Sequence, residues 1–217
     1  MTDIKQVIKD LSDGDIYTIE EIANITNQSI EFVRGVLNDP SINFSEECDG
    51  SGCIYIMDIK YDTIVDGLGF RNSVYCAGCN VFCNGCHNPE SWYITNGKPI
   101  SISHLTKILC DSDYDITFTG GEASIQSNAI IKVICNIKKY SDKNIWLYSG
   151  HIFEELSENK LNLLKNIDVL VDGKFNLGLK DLNLLFRGSL NQRIINVQQS
   201  LREKKIIEKI ELYSIEF

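Results

Sequence analysis

At 217 residues and a net charge of −9, the chain has room for one average domain plus a small extra module. Its 43% hydrophobic and 24% charged residues exclude a disordered chain, and no run approaches the roughly 20 apolar residues of a membrane helix. The acidic, polar start MTDIKQVIKDLSDGD is unlike a signal peptide, so the expected location is the cytoplasm and most of the eight cysteines are expected as thiols.

In chain order, residues 1–50 read as a helical module. IKQVIKDLS has apolar positions at helical spacing, and Thr18 with Glu21 makes a capping-box start for IEEIANIT. A break at Asn27-Gln28-Ser29 precedes a second periodic stretch from Ile30 to Leu37, a pattern that resembles the helix-turn-helix core of winged-helix proteins. Most of the acid excess lies here, with three Lys/Arg against eleven Asp/Glu, and the second helix offers only Arg34 beside Glu31. A phosphate-binding face needs Lys and Arg to displace counterions, so the charge argues against DNA and for a protein-docking or structural module. Removing residues 1–50 is accordingly expected to leave the chemistry of the remainder intact. The acidic, glycine-bearing stretch Ser45–Gly52 reads as a linker to a second domain at 51–217.

Beyond it, apolar or β-branched runs at Asn72–Cys76, Ile116–Thr119, Ile145–Tyr148 and Ile167–Val171 alternate with helical stretches near 101–110, 126–140 and 152–165. Such alternation implies βαβ units and a parallel sheet, with too few units for a closed eight-stranded barrel. The expected fold is α/β: an open partial (β/α) barrel with a small winged helix-like module in front.

The most informative stretch is Cys76-Ala77-Gly78-Cys79-Asn80-Val81-Phe82-Cys83-Asn84-Gly85-Cys86-His87. Thiolates so close together can wrap one metal centre, and sulfur ligands select zinc, copper(I) or iron–sulfur clusters. Two CxxC pairs, Cys76/Cys79 and Cys83/Cys86, would close a structural zinc site. Read as CxxxCxxC, only Cys79, Cys83 and Cys86 are ligands, and one iron of a 4Fe-4S cluster is left open. Cys76 then sits at a strand end as a small buried thiol.

A CxxxCxxC loop after a first strand, followed by Thr119-Gly120-Gly121-Glu122-Ala123 at the end of the next, resembles the radical SAM superfamily, whose Gly-Gly-Glu-Pro motif holds the amino group of S-adenosylmethionine. Within it, the match is to the activases of anaerobic (class III) ribonucleotide reductase. It is carried by Val65–Arg71 (VDGLGFR), the cysteine loop with His87–Trp92, Ile145–Gly150 (IWLYSG), Val169–Phe175 (VLVDGKF) and Phe186–Arg193 (FRGSLNQR). The resemblance spans about 58–200 and omits the N-terminal module. Ala123 replaces the motif's proline, and His87 stands where the family commonly has an aromatic residue near the adenine.

The resemblance implies an oxidoreductase with a 4Fe-4S cluster on Cys79, Cys83 and Cys86 and S-adenosylmethionine on the open iron. Reductive cleavage yields a 5′-deoxyadenosyl radical that takes hydrogen from a glycine of the reductase large subunit. Gly120, Gly121 and Glu122 are assigned to the cofactor's amino group, and Ser149 and the Asp172-Gly173-Lys174 turn to its ribose and carboxylate. Gly85, Cys86 and His87 border it. Arg187, Asn191, Gln192 and Arg193 are candidates for contact with the reductase, and a flavodoxin or ferredoxin is the expected electron donor. His104 and His151 read as surface histidines, and Trp92 and Trp146 as packing residues. Activation of another glycyl-radical enzyme, small-molecule radical chemistry, or a zinc-binding regulatory adaptor are the alternatives.

Overall fold

The computed structural model of the chain describes residues 4–12, 17–30, 32–33 and 52–213. Arg34, Glu31, most of the second predicted helix and the linker up to residue 51 lie outside them. Helices α1 (Ile4–Ser12) and α2 (Ile19–Thr26) open the chain. The expected capping box is formed: Glu21 N donates to the Thr18 hydroxyl at 3.2 Å and Thr18 N to the Glu21 carboxylate at 2.8 Å. Asn27, at a left-handed φ of 54°, ends α2 at the anticipated break.

Seven strands follow: β1 (Cys53–Thr63), β2 (Arg71–Cys76), β3 (Lys98–Ser101), β4 (Asp115–Gly120), β5 (Ile145–Tyr148), β6 (Val169–Asp172) and β7 (Arg193–Asn196). They form one sheet in the order β3-β1-β2-β4-β5-β6-β7, with β2, β4, β5 and β6 parallel and antiparallel neighbours on both flanks. The sheet is open, so the fold is mixed α/β. Cys53 is disulfide-bonded, whereas the other six described cysteines are free.

One face is covered by α3 (Ile102–Cys110), α4 (Ser127–Ile137), α5 (Phe153–Asn159) and α6 (Leu161–Leu164), with α7 (Val197–Glu203) closing the chain's last strand. Leu105, Leu109, Ile130, Ile134, Leu156 and Leu163 pack there against Val74, Ile116, Phe118, Leu147 and Leu170. Each such fully buried side chain contributes roughly 1.5–3 kcal/mol. The helical spacing in the sequence therefore marks the faces that are buried.

The N-terminal helices do not stand apart. Val7, Ile8, Leu11, Ile22 and Ile25 share one apolar core with Cys53, Tyr55, Ala77, Ile94 and Ile125. Ala77 opens the cysteine loop and Ile125 follows the Gly-Gly-Glu turn. Removing residues 1–50 would therefore strip apolar surface beneath both segments.

Three of the sequence segments with family character meet at one side chain. Arg71, fully buried, donates from Nε to Thr117 Oγ1 at 2.7 Å and from Nη2 to the Ile116 and Asn144 carbonyls at 2.7 and 2.8 Å. It stacks on Trp146, which meets Phe186 edge-on at 5.5 Å. A Cβ at Gly67 would lie 2.9 Å from both Arg71 and Trp146, so the glycine in VDGLGFR makes room for this cluster.

Candidate functional site

The register of the parallel strands places their C-terminal ends in one row. Cys76 pairs with Gly120, Phe118 with Leu147 and Tyr148 with Val171, which carries the row on to Ser149 and Asp172. Loops at these ends converge, the usual place for a ligand in an open α/β sheet. The cysteine loop, the Gly-Gly-Glu turn, Ser149-Gly150 and Asp172-Gly173-Lys174 are thus neighbours.

Backbone locks the first two together. Gly121 N donates to the Cys76 carbonyl at 2.9 Å and Glu122 N to the Gly78 carbonyl at 2.8 Å. A Cβ at Gly121 would lie 2.2 Å from Gly78 O, and one at Gly120, where φ is 105°, 2.5 Å from Cys76 N. Only glycine permits this approach. Cys79 N and Gly78 N donate to the Trp92 and Ser91 carbonyls at 2.8 Å each, so the loop is also tied to the segment after it.

Cys79 is buried, and Cys83 and Cys86 are half-buried. Each of the outer two sulfurs accepts a backbone hydrogen bond, from Val81 N to Cys79 Sγ and from Asn88 N to Cys86 Sγ, both at 3.4 Å. Burial pushes the Cys79 thiol up to about 11 and raises Cys83, opposed at Cys83 by the Phe175 amide and the nearby Lys174 ammonium. Among the described residues no three His, Cys, Asp or Glu side chains converge tightly enough to hold a single metal ion. Cys76 differs from the other three. Its side chain belongs to the apolar core on the helix-covered face, and burial with the nearby Glu122 pushes its thiol up to about 12.

Glu122 is fully buried, and its carboxylate accepts from uncharged donors: Ser149 Oγ at 2.8 Å, Gly150 N at 2.6 Å and Ser124 N at 3.2 Å. Three donors orient an anion, and among the described residues none pairs with it as a cation, a costly arrangement unless a cation arrives. Ser149 is therefore placed to hold Glu122, one step removed from the role the sequence assigned it.

Asp172 is likewise buried, with both oxygens engaged by Arg193, one at 2.9 Å from Nε, and by Phe153 N at 2.7 Å. It pins β6, β7 and the start of α5. Lys174 is exposed and donates to the Val81 carbonyl at 2.8 Å, tethering the cysteine loop. Gly85 has φ of 74°, with the Leu177 side chain 3.0 Å from where its Cβ would be, and His87 is exposed beside it.

The four candidates for contact with a partner also bond within the chain. Gln192 Oε1 accepts from Gly188 N and Ser189 N, Asn191 Nδ2 donates to the Lys174 carbonyl, and Arg187 stacks 3.9 Å above Tyr213. Arg193 is paired with Asp172 and Glu154. In this turn and the stretch before it, Leu177, Leu179, Leu182 and Leu190 are exposed, Leu182 to 87%.

Two further residues had no sequence signal. His151 bridges Glu155 and Asn80 of the cysteine loop, at 3.3 and 3.1 Å, and lines a cleft of about 340 Å³ shared with Tyr17, Thr18 and Glu21 of the N-terminal module. Gln126 joins the cysteine loop to β1. A lone polar residue in a helical pattern gives no hint of either role.

The model of the family described as "4Fe-4S single cluster domain" matches residues 65–195. The anaerobic ribonucleoside-triphosphate reductase-activating protein of Escherichia coli is 33% identical over 138 residues, covering 59% of this chain and 90% of that protein. The proteins of the same name from Vibrio cholerae and Pasteurella multocida are 34% and 33% identical over 140 and 147 residues, covering 60% and 63% of this chain and 90% and 93% of theirs. The family match spans the cysteine loop, the strand-end row and the Arg71 cluster, and the two N-terminal helices lie outside it. The chain belongs to the family of anaerobic ribonucleoside-triphosphate reductase-activating proteins, built on a 4Fe-4S single cluster domain.

Proposed function

We propose that the chain is a radical SAM activase, which holds a 4Fe-4S cluster on Cys79, Cys83 and Cys86 and uses S-adenosylmethionine to place a glycyl radical on an anaerobic ribonucleotide reductase. The observation that carries this reading is Glu122: a buried carboxylate oriented by three neutral donors, locked backbone to backbone onto the cysteine loop. A carboxylate so placed fits the ammonium of an amino acid bound beside the loop.

The residues present fit the cluster. Three cysteines lie in one loop, and backbone N–H groups are aimed at two of the sulfurs, an arrangement suited to thiolate ligands of a cluster. Cys76 faces away, which supports three ligands and one open iron. Held on Cys79, Cys83 and Cys86, such a cluster would supply the electron for reductive cleavage of S-adenosylmethionine, the chemistry that would place a radical on the reductase glycine.

The chain's own groups position and exclude. Gly120 and Gly121 let the turn approach, Ser149 and Gly150 fix the Glu122 carboxylate, and Lys174 with Phe175 hold the middle of the cysteine loop. Asp172 fixes the turn that carries Lys174. The sheet is open, and the exposed side chains of Leu177, Leu179, Leu182 and Leu190 suit an apolar partner surface. In this reading the open sheet serves as the partial barrel of radical SAM proteins, with a flavodoxin- or ferredoxin-type donor in the cytoplasm.

Anaerobic reconstitution tests the reading. The protein should take up about four irons per chain, cleave S-adenosylmethionine under reduction, and give the doublet paramagnetic signal of a glycyl radical on the cognate reductase. A colourless protein with one zinc would refute the cluster; cleavage without the radical signal would point to a small-molecule substrate.

A further inference from the structure

We propose that Gln126 is a positioning residue, which sets the spacing between the cysteine loop and the Gly-Gly-Glu turn and connects both to the N-terminal helices. The inference rests on the reading of Cys79 as a cluster ligand and Glu122 as the acceptor of the cofactor's ammonium. Gln126 lies at the end of the short 3₁₀ turn that follows Glu122 and is 7% exposed. Its Oε1 accepts from Tyr55 N at 2.8 Å, and its Nε2 donates to the carbonyls of Tyr55 at 2.8 Å and Ala77 at 2.9 Å. Ala77 is two residues before Cys79, and its own N–H donates to the Tyr55 carbonyl at 2.9 Å. One planar amide thus joins β1, the start of the cysteine loop and the exit of the turn.

Side-chain chemistry explains why glutamine stands here. The site requires one acceptor and two donors within a single group. Leucine fills a similar volume and offers neither; glutamate keeps the acceptor but sets a charge against two carbonyl oxygens.

The surroundings make the amide a junction. Next to it, Ile125 packs so closely on Gly78 that a Cβ there would lie 2.5 Å from Cδ1. On the other side the Tyr55 hydroxyl donates to Asp10 of α1 at 2.9 Å, and both Tyr55 and Ile125 belong to the core of the N-terminal helices. Packing of those helices is therefore transmitted to the loop through Tyr55, Ile125 and Gln126.

Hydrogen exchange and kinetics on Gln126→Leu and Gln126→Glu, with Ile137→Val as a stability control in α4, test the assignment. In the metal-free full chain, Gln126→Leu should raise exchange at the amides of residues 77–79 about tenfold, which corresponds to about 1.4 kcal/mol of local opening. After reconstitution it should keep its iron but show a several-fold higher KM for S-adenosylmethionine with kcat nearly unchanged. The control should lose thermal stability with neither effect. Wild-type exchange and KM in Gln126→Leu, or the same changes in the control at equal loss of Tm, would overturn the proposal. Should Gln126→Leu not fold, Gln126→Glu is judged by the same criteria. If the wild-type chain neither loads iron nor cleaves the cofactor, the cluster reading fails, while exchange in the metal-free chain still decides the bracing role.

Discussion

Replacing Cys76 by alanine separates a three-cysteine from a four-cysteine site. The thiol is fully buried among the core side chains of the helix-covered face, so its loss is a packing event. Removing one sulfur costs about 1 kcal/mol of transfer free energy, and a residual cavity on the order of 20 Å³ adds about 0.5 kcal/mol. For a chain of this size that sum lowers Tm by about 3–6 °C. Iron per chain, measured after parallel anaerobic reconstitution of Cys76→Ala and Cys79→Ala, is the deciding assay. Cys76→Ala should match wild type in iron and in cleavage of S-adenosylmethionine, while Cys79→Ala should lose most of both. Equal iron loss in the two variants would refute the three-ligand assignment.

Glu122→Gln removes the charge but keeps the shape, and loss of a buried charge-assisted contact, worth about 1.5–3 kcal/mol, should raise KM for S-adenosylmethionine roughly 10- to 100-fold with iron retained; unchanged KM in a steady-state cleavage assay would remove Glu122 from the site. Leu182→Asp, at a side chain 87% exposed, should leave uncoupled cleavage intact and depress glycyl-radical yield on the reductase, read by paramagnetic resonance against reductase concentration. Deleting residues 1–50 uncovers Tyr55, Ala77, Ile94 and Ile125, so Tm of the metal-free protein should fall by many degrees and binding of an apolar dye should rise; a truncated chain with wild-type Tm would show that the shared core is energetically idle.

Elements with a strong local pattern were legible in the sequence. Strands β2, β4, β5 and β6 and the helices between them appear close to where hydrophobic runs and helical spacing put them, and Thr18-Glu21 caps α2 as read. β1 was missed because Cys53–Met57 is apolar on both faces: Ile54 and Ile56 turn to one core, Cys53 and Tyr55 to the core of the N-terminal helices. No alternation survives in a strand sandwiched on both sides. The cysteine loop and Glu122 were visible as motifs. The roles of Asp172, Lys174 and Gln192 were not, because sequence identifies a polar residue near a site without saying whether its hydrogen bonds go to a ligand or to the neighbouring backbone.

The close approach of Gly121 to Gly78 has an evolutionary corollary. With a would-be Cβ 2.2 Å from a backbone oxygen, position 121 has no tolerated substitution unless the cysteine loop itself is redrawn, whereas Gly69, with nothing within 4 Å, is limited only by its own backbone angle. In a saturation library the two positions should therefore separate: 121 purged to glycine alone, 69 open to asparagine and aspartate, which visit left-handed backbone at little cost. Divergent descendants of this chain can replace most of its surface and still be traced by Gly121, because the geometry it enforces lies in the main chain, where drift of side chains does not reach.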